Sequence, residues 1–360
     1  MKAMSLNINQ VLLTPILLTV VLYFGRPILI PLCFAILLAM LMAPVCRFFD
    51  KKGLIRALSC TICILILLVS FLLLIGIVIM QLSDFLEDMN KINQQLNEIW
   101  ISLKQQIETW FNISPRQQDI MMKKQIQEMK DSSTLRFDKI AGDITSVLVG
   151  LAIVLVFTFL LLYHKEKYEH FFLKLYPEKN TQEVKEVLGQ ITHVSQQYLV
   201  GRILSMIFLF VLYSISLLLI GIENALLLSA IASLVTIIPY IGPILGGFFP
   251  LMTAILTENS LQSAIWVLVT LIIIQAIDNY FVEPNVIGGE VRVTALSTIL
   301  AIFIGGILWG IAGMILFIPI LGILKIIFNH VEKLKPYGYL IGDEGKSPSS
   351  RIKEWFKKKR

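Results

Sequence analysis

Long apolar stretches dominate this chain and are separated by short charged segments. A helix needs about 20 apolar residues to cross a bilayer, and eight charge-free runs approach or exceed that length. They are 3–25, 27–46, 57–83, 144–164, 203–222, 224–257, 259–277 and 293–324. The pattern predicts an all-α polytopic membrane protein with about eight transmembrane helices, some of them interrupted or re-entrant.

The segment between the third and fourth runs leaves the bilayer, because 84–143 holds ten acidic and eight basic residues. A heptad-like apolar stripe from Leu82 to Trp110 predicts a helical stalk that continues the third span. The stripe packs either against the returning segment or against another subunit, and its length favours some homo-oligomeric contact. The predicted regions are spans 1–3 in 1–83, a helical extramembrane insertion in 84–143, spans 4–8 in 144–324 and a basic cytoplasmic tail in 325–360.

Composition supports the membrane assignment. Hydrophobic residues make up 56% of the 360 residues, and the mean hydropathy is +0.77. Charged residues make up only 16%, against about 25% in soluble domains. These values exclude a soluble enzyme, a disordered scaffold and a small secreted domain held by disulfides. The net charge of +6 would indicate a nucleic-acid partner only if the basic residues clustered on a soluble surface.

The basic residues lie instead where the positive-inside rule predicts cytoplasmic segments. With the N-terminus inside, the inner segments carry 21 Lys and Arg, and the outer ones carry two besides the long insertion. Both termini are therefore predicted in the cytoplasm, and no nucleic-acid partner is predicted. Ile352, Trp355 and Phe356 form one helix face in the tail, which either lies on the anionic inner leaflet or belongs to a solvated tail.

The sixth run contains the densest set of helix-breaking residues. Three prolines and three glycines fall within the twelve residues from Pro239 to Pro250. Proline removes a backbone donor and clashes with the preceding turn, and glycine holds a helix poorly. Backbone groups freed at membrane depth must be buried in protein or line a wet cavity. Because broken helices near the midplane recur at binding sites in membrane proteins, a functional element is favoured over a packing kink.

Two further patterns are interpreted as packing rather than as sites. Gly306, Gly310 and Gly313 in the eighth run leave one helix face bare for close helix contact. Cys60 and Cys63 have redox or metal-ligand spacing, but neither a second pair nor a nearby histidine completes a site. The pair is therefore interpreted as small apolar residues inside a span, and neither a metal site nor a cofactor is predicted.

The end of the seventh run is the most polar membrane-edge segment. Asp278 and Asn279 follow nineteen uncharged residues and precede Glu283 and Pro284. An ionised carboxylate inside the hydrocarbon costs about 3 kcal/mol on insertion scales, so such a group normally faces a pathway or a partner. Asp278 would then carry a proton or bind a cation, whereas at the interface it would be a solvated helix end. The functional interpretation is favoured for Asp278, and Glu283 is predicted to be interfacial.

These segments together resemble the autoinducer-2 exporter family, also called PerM-like permeases. The matching motifs are Ile238-Pro239-Tyr240-Ile241-Gly242-Pro243, Asp278-Asn279 with Pro284 and Gly288, the glycines of the eighth run, and upstream Arg26-Pro27, Pro31, Pro44, Arg47 and Tyr198 with Gly201-Arg202. The first motif is specific, and the likeness covers almost the whole chain. It implies a bacterial secondary transporter that forms homo-oligomers. Members of the family are linked to autoinducer-2 export, and some to Na⁺(Li⁺)/H⁺ antiport.

The leading hypothesis is therefore a secondary transporter in the cell membrane, moving a small hydrophilic solute or a monovalent cation with coupling to H⁺ or Na⁺. Asp278 would exchange the proton or cation, and Asn279, Thr236 and Tyr240 would supply neutral hydrogen bonds. The predicted pathway residues are Asp278, Asn279, Thr236, Pro239, Tyr240, Gly242, Pro243, Gly246 and Gly247, with Glu283, Pro284, Arg202 and Glu223 as secondary candidates. The alternative is a passive pore or an oligomeric membrane scaffold. An enzyme is not predicted, because the sequence contains neither HExxH nor GxSxG.

Overall fold

The computed structural model describes residues 8–73, 75–76, 136–175, 181–256, 261–287 and 293–342. Its helices are α1 (Ile8–Phe24), α2 (Arg26–Lys51), α3 (Arg56–Leu73), α4 (Arg136–Tyr163), α5 (Lys165–Lys174), α6 (Thr181–Ile220), α7 (Ala225–Val235), α8 (Ile241–Leu256), α9 (Leu261–Ile277), α10 (Ala295–His330) and α11 (Lys335–Ile341). A π-helical turn at Asp278–Ile287 extends α9, and a 3-10 turn at Glu332–Leu334 precedes α11. The predicted stalk stripe and the apolar face of the tail lie outside the described residues.

The predicted fold class is confirmed. Within the described residues the chain forms helices and turns, with an isolated antiparallel bridge between Val293 and Gly342. Six helices are long and apolar enough to cross a membrane: α2, α3, α4, α6, α9 with its π-helical extension, and α10. α1, α7 and α8 are shorter apolar helices. The protein is an all-α polytopic membrane protein.

Proline breaks the backbone hydrogen bonding of α2, and α6 compensates for it. Pro44 has no N–H group, so the carbonyl of Met40, one turn earlier, lacks its helical donor. The side chain of Gln196 on α6 donates to that carbonyl from Nε2 at 2.6 Å. A backbone group freed inside an apolar bundle is thereby satisfied by a neighbouring helix, and α2 is fixed against α6 at this depth.

The sixth hydrophobic run folds into two antiparallel helices, α7 and α8, rather than one long span. At 11 residues, α7 is about 16 Å long, roughly half the hydrocarbon thickness. The two helices touch along their backbones: a Cβ on Gly242 would lie 2.7 Å from the α-carbon of Thr236, and one on Gly246 would lie 2.7 Å from the carbonyl oxygen of Ala232. Helices α7 and α8 therefore form a tight hairpin, called here the first hairpin.

The eighth run also turns back on itself. Gly310 has φ 61° and ψ −142°, which interrupts α10 between an arm ending at residue 309 and an arm beginning at residue 311. In a continuous helix Gly305 and Gly313 would be about 12 Å apart, yet a Cβ on Gly305 would lie 2.5 Å from the carbonyl oxygen of Gly313. Gly306 and Gly313 pack closely, though between the two arms of one run, whereas Gly310 forms the turn and a Cβ there would meet nothing within 4 Å. These arms form the second hairpin.

The two hairpins open at opposite ends of the bundle. The open end of the first hairpin packs near the C-terminal end of α6, where Leu217 shares a core cluster with Ala225 and Ala254. The open end of the second hairpin lies toward the N-terminal end of α6, where Val194 packs with Ile326. The turns of the two hairpins therefore point in opposite directions along α6.

The residues of α6 beside each hairpin show how deep its turn lies in the bundle. Ala232 packs with Leu209, and Thr236, one helical turn farther along the first hairpin, approaches the depth of Ser205. The second hairpin's arm from Ile326 to Gly310 is about 24 Å long, which is enough to extend from Val194 past the depth of Ser205. The first turn thus ends near the depth of Ser205 and the second hairpin overlaps it, so both turns lie inside the bundle.

Candidate functional site

Asp278 is a buried carboxylate between two membrane helices. It lies where α9 passes into the π-helical turn, and only 5% of it is exposed. The hydroxyl of Ser205 on α6 donates to its Oδ1 atom at 3.2 Å. π-Helical turns inside α-helices are rare and are frequently found at functional sites. The carboxylate that the sequence singled out therefore has one neutral hydrogen-bond donor and lies inside the bundle.

Arg202 approaches the same carboxylate without pairing with it. It lies three residues before Ser205 on α6, on the same helix face, and its positive charge acts electrostatically on Asp278. Among the described residues, the ion pair that forms is Arg56–Glu166, far from this site. The Nε atom of Arg202 is buried and has no hydrogen-bond partner. The site thus combines a buried carboxylate with a nearby, unpaired guanidinium group.

A packed apolar layer lies directly beside the carboxylate. Leu209, Tyr213, Ala232 and Ile274 form one buried cluster that joins α6, the first hairpin and α9. Tyr213 is within electrostatic reach of Asp278. This layer separates Asp278 from the open end of the first hairpin, so a solute reaching Asp278 from that end would have to move the hairpin or the helices around it.

The turn of the first hairpin is compact and conformationally strained. Thr236 is 1% exposed, and its hydroxyl donates to the Ser233 carbonyl at 2.5 Å. Tyr240 has φ 62°, a left-handed conformation that a bulky residue adopts only under constraint, while its side chain is exposed. Pro239 and Pro243 are half-buried on either side of it.

The glycines predicted for the pathway have packing contacts. Gly242 and Gly246 face the other arm of the hairpin, and a Cβ on Gly247 would lie 3.1 Å from the Leu271 side chain of α9. These contacts let the hairpin arms, and the hairpin with α9, approach closely. Their contribution to the site is therefore to shape the turn rather than to contact a solute through a side chain.

Other predicted residues lie apart from Asp278. Asn279 is exposed and accepts a hydrogen bond at Oδ1 from Nε2 of Gln275 at 2.9 Å. Glu223 is exposed between α6 and α7, near the open end of the first hairpin. Glu283 and Pro284 belong to the π-helical turn, and their side chains lie outside the described part of the structure.

Sequence reasoning missed Ser205 and Tyr213. Both are polar residues within an otherwise apolar run, and Ser205 lies one turn from Arg202, which was a secondary candidate. The three-residue spacing places Ser205 on the same helix face as Arg202. Nothing in the sequence, however, indicates that this face contacts Asp278. Among the described residues, no group of three or more His, Cys, Asp or Glu side chains could hold a metal ion.

Comparison with known sequences assigns the chain to a family. A sequence model described as "AI-2E family transporter" matches residues 12–333, almost the entire chain. The chain belongs to the AI-2E transporter family. This confirms the resemblance drawn from the proline-glycine motif and from Asp278-Asn279.

Individual relatives of this AI-2E transporter are distant but collinear with it. YrrI of Bacillus subtilis is 26% identical over 323 residues, covering 86% of this chain and 88% of its own. YhhT of Escherichia coli is 23% identical over 325 residues, covering 90% of both chains. Both carry provisional transport-protein names. A protein of Halobacillus andaensis named sodium-lithium/proton antiporter is 26% identical over 324 residues, covering 85% of this chain and 90% of its own.

Proposed function

We propose that this AI-2E transporter is a secondary transporter that moves a small hydrophilic solute or a monovalent cation, coupled to H⁺ or Na⁺ at Asp278. The observation that carries the proposal is the burial of Asp278 beside the Ser205 hydroxyl, without an ion pair to any described residue. Autoinducer-2 export and Na⁺(Li⁺)/H⁺ antiport are the two activities to be tested. The name of the Halobacillus relative favours the second.

The energetic argument concerns the unpaired carboxylate. Placing an ionised Asp in the hydrocarbon costs about 3 kcal/mol on insertion scales, and one hydrogen bond to a charged group returns about 1.5–3 kcal/mol. The difference is at most about 1.5 kcal/mol, and a bound proton or cation removes it, so Asp278 has a physical reason to bind one. Such a group can couple ion binding to a conformational change because its empty and occupied forms differ in charge.

Arg202 contributes a fixed positive charge to this cycle. Because it acts on Asp278 without an ion pair, the carboxylate remains available to a mobile proton or cation. When that ion leaves, the guanidinium partly offsets the negative charge left behind. In this mechanism Arg202 moderates the affinity of Asp278, so that the ion can be released as well as bound.

In this mechanism the first hairpin is the element that moves to give a solute access to Asp278. Its turn from Thr236 to Tyr240 approaches the depth of Ser205, and its arms meet through close glycine contacts and an apolar cluster. Thr236 and Tyr240 are the polar residues of this turn that would contact a hydrophilic solute. Broken helices at membrane depth serve this purpose in secondary transporters.

The orientation proposed from charge also fits the hairpins. With the N-terminus inside, α6 runs outward, the first hairpin opens outside, and α9 returns to the cytoplasmic side. The second hairpin then opens inside, which places Arg292 with the inner basic residues and leaves the outer side still poorer in positive charge. We propose a multi-pass protein of a bacterial plasma membrane with both termini cytoplasmic. Its homo-oligomeric assembly remains a proposal based on the stalk stripe.

Transport by purified protein in proteoliposomes tests the function. Imposed Na⁺, Li⁺ or H⁺ gradients should drive saturable flux of a counter-ion or of autoinducer-2. Asp278→Asn should abolish the gradient dependence, while Asp278→Glu should retain part of it. Glu186→Gln, which changes an exposed carboxylate on the same helix as Ser205, is the matched control and should transport normally. Full gradient-dependent transport by well-folded Asp278→Asn would exclude Asp278 from coupling.

The alternative function, a passive pore or a membrane scaffold, gives a different result in the same assay. A pore would give flux that does not saturate and that follows the solute's own gradient alone. A scaffold would give no flux in any gradient. Either outcome in wild-type protein would refute the transport proposal.

A further inference from the structure

Three cysteines, one from α2 and two from α3, lie together where α2, α3 and α4 pack. Cys46 near the end of α2 joins Cys60 and Cys63 of α3 in one buried cluster, which Leu162 of α4 completes. The Sγ atoms of Cys46 and Cys60 are 3.6 Å apart. The Cys60–Cys63 spacing was interpreted as a packing pair because neither a second pair nor a nearby histidine completes a site. Folding supplies the third thiol from another helix.

Cys46 is the thiol best placed to react first. It retains 5% exposure, whereas Cys60 and Cys63 are fully buried. Its Sγ atom donates to Oδ2 of Asp50 at 4.0 Å, and the other carboxylate oxygen, Oδ1, is buried without a hydrogen-bond partner. Asp50 is therefore in position to accept the proton of the Cys46 thiol.

Positive charges surround the same corner of the bundle. Arg56 donates to the carbonyl of Leu162 at 3.1 Å and pairs with Glu166. Burial and repulsion from Arg47 lower the pKa of the Lys165 ammonium, on which Cys46 also acts. Basic side chains therefore lie beside the cysteine cluster.

We propose that Cys46 and Cys60 form a site of reversible oxidation, at which a peroxide joins α2 to α3 through a disulfide. The Cys46 thiolate attacks one peroxide oxygen, the O–O bond breaks, and the leaving oxygen takes a proton to give an alcohol or water. The Cys60 thiol then gives up its proton as its sulfur attacks the sulfur of the resulting sulfenic acid, and the departing hydroxide takes up that proton to give water. Two thiols lose two electrons and two protons in total, and the peroxide gains them.

The bond would tie two helices that are otherwise held together by apolar packing and by a contact from Cys63 Sγ to the Met42 carbonyl at 4.0 Å. α2 also contacts α6 through Gln196 and the second hairpin through the cluster around Leu37, so a covalent link to α3 would restrain the helix that supports the transport core. Disulfides of cytosolic proteins are usually transient and redox-sensing. Reduction by a small thiol, through thiol–disulfide exchange, would reverse this one.

Digestion with trypsin can show whether Cys46 and Cys60 are joined. Arg47, Lys51 and Arg56 lie between Cys46 and Cys60, so trypsin separates the two cysteines unless a disulfide joins their peptides. Purified full-length protein is treated with hydrogen peroxide, its remaining thiols are alkylated under denaturing conditions, and the digest is analysed by mass spectrometry with and without a reductant. The alkylated cysteines should fall from the four of the sequence to two, and a reductant-sensitive peptide pair should appear.

Four variants assign the bond. Cys46→Ser and Cys60→Ser should lose the joined peptides, while Cys33→Ser and Cys63→Ser, which alter the other cysteine of each tryptic peptide, should keep them. Four alkylated cysteines in oxidised wild-type protein would overturn the proposal. A joined peptide that survives in Cys60→Ser would overturn the assignment, because Cys63 would then be the partner. Bonds between chains, seen as covalent dimers on a non-reducing gel, would also overturn it. None of these readouts depends on transport.

Discussion

Replacing Gly246 by alanine tests the first hairpin directly. A Cβ at this position would lie 2.7 Å from the carbonyl oxygen and 2.9 Å from the α-carbon of Ala232, both backbone atoms of the opposite arm. Backbone of a packed helix cannot rotate away as a side chain can. The arms must therefore separate, and overpacking of this kind costs about 1–3 kcal/mol.

The adjacent residue provides a matched control. A Cβ on Gly247 would meet the flexible Leu271 side chain at 3.1 Å, which can shift at little cost. Both changes gain about 1 kcal/mol of helix propensity, so that gain cancels in a comparison of the two variants. Gly246→Ala should therefore be about 1–3 kcal/mol less stable than Gly247→Ala.

The difference is measured as thermal unfolding of the detergent-purified variants by intrinsic fluorescence. At about 2–4 °C per kcal/mol for a domain of 150–250 residues, Gly246→Ala should unfold roughly 2–12 °C below Gly247→Ala. Since the contact holds the turn at the depth of Ser205, Gly246→Ala should also reduce coupled transport more. Equal unfolding temperatures, or a more stable Gly246→Ala, would refute the backbone contact and with it the hairpin.

The remaining predictions concern the second hairpin, the support of α2 and the topology. Gly310→Ala forces a side chain into a backbone conformation with φ 61° and should lower stability by about 1–3 kcal/mol in the same unfolding assay. Gly150→Ala, where a Cβ meets nothing, should be neutral or stabilising. Gln196→Leu leaves the Met40 carbonyl without its donor and should cost about 1–3 kcal/mol. Gln197→Leu, which removes a solvent-exposed hydrogen bond to His193 on the same helix, should cost little. Equal losses would contradict this assignment. Single cysteines at Glu223 and Gln262 in a cysteine-free protein should react with an impermeant reagent from the same side of the membrane, and one at Thr294 from the other. Labelling of 223 and 262 from opposite sides would mean that 224–257 crosses the membrane once.

The sequence predicts the fold class and the interruptions, but not the reversals of chain direction. Prolines and glycines between Pro239 and Pro250 indicate that a helix ends there. They do not indicate whether the chain continues through the membrane or returns. That outcome depends on Gly246 meeting Ala232, a contact between two segments that each look like ordinary apolar helix.

Only part of the candidate site can be predicted from the sequence, because its contacts join segments that are distant along the chain. Asp278 is visible in the sequence as a lone carboxylate at the end of an apolar run. Its donor, Ser205, lies 73 residues upstream and resembles any small polar residue in a span. The Cys46–Cys60 contact is also invisible to spacing rules, because it depends on how α2 packs against α3.

The geometry of the hairpins bears on which groups can stabilise the charge of Asp278. A helix N-terminus favours an anion and a C-terminus disfavours it. Each hairpin turn brings one end of each kind together: the C-terminus of α7 meets the N-terminus of α8, and the two arms of α10 meet at Gly310. The two dipole contributions at each turn largely cancel, unlike those of a single half-helix directed at a ligand. The charge of Asp278 must therefore be balanced by Ser205, by the unpaired Arg202 and by whatever proton or cation the site binds. In the proposed mechanism a mobile ion would share this role, which is the basis for proposing Asp278 as the coupling residue.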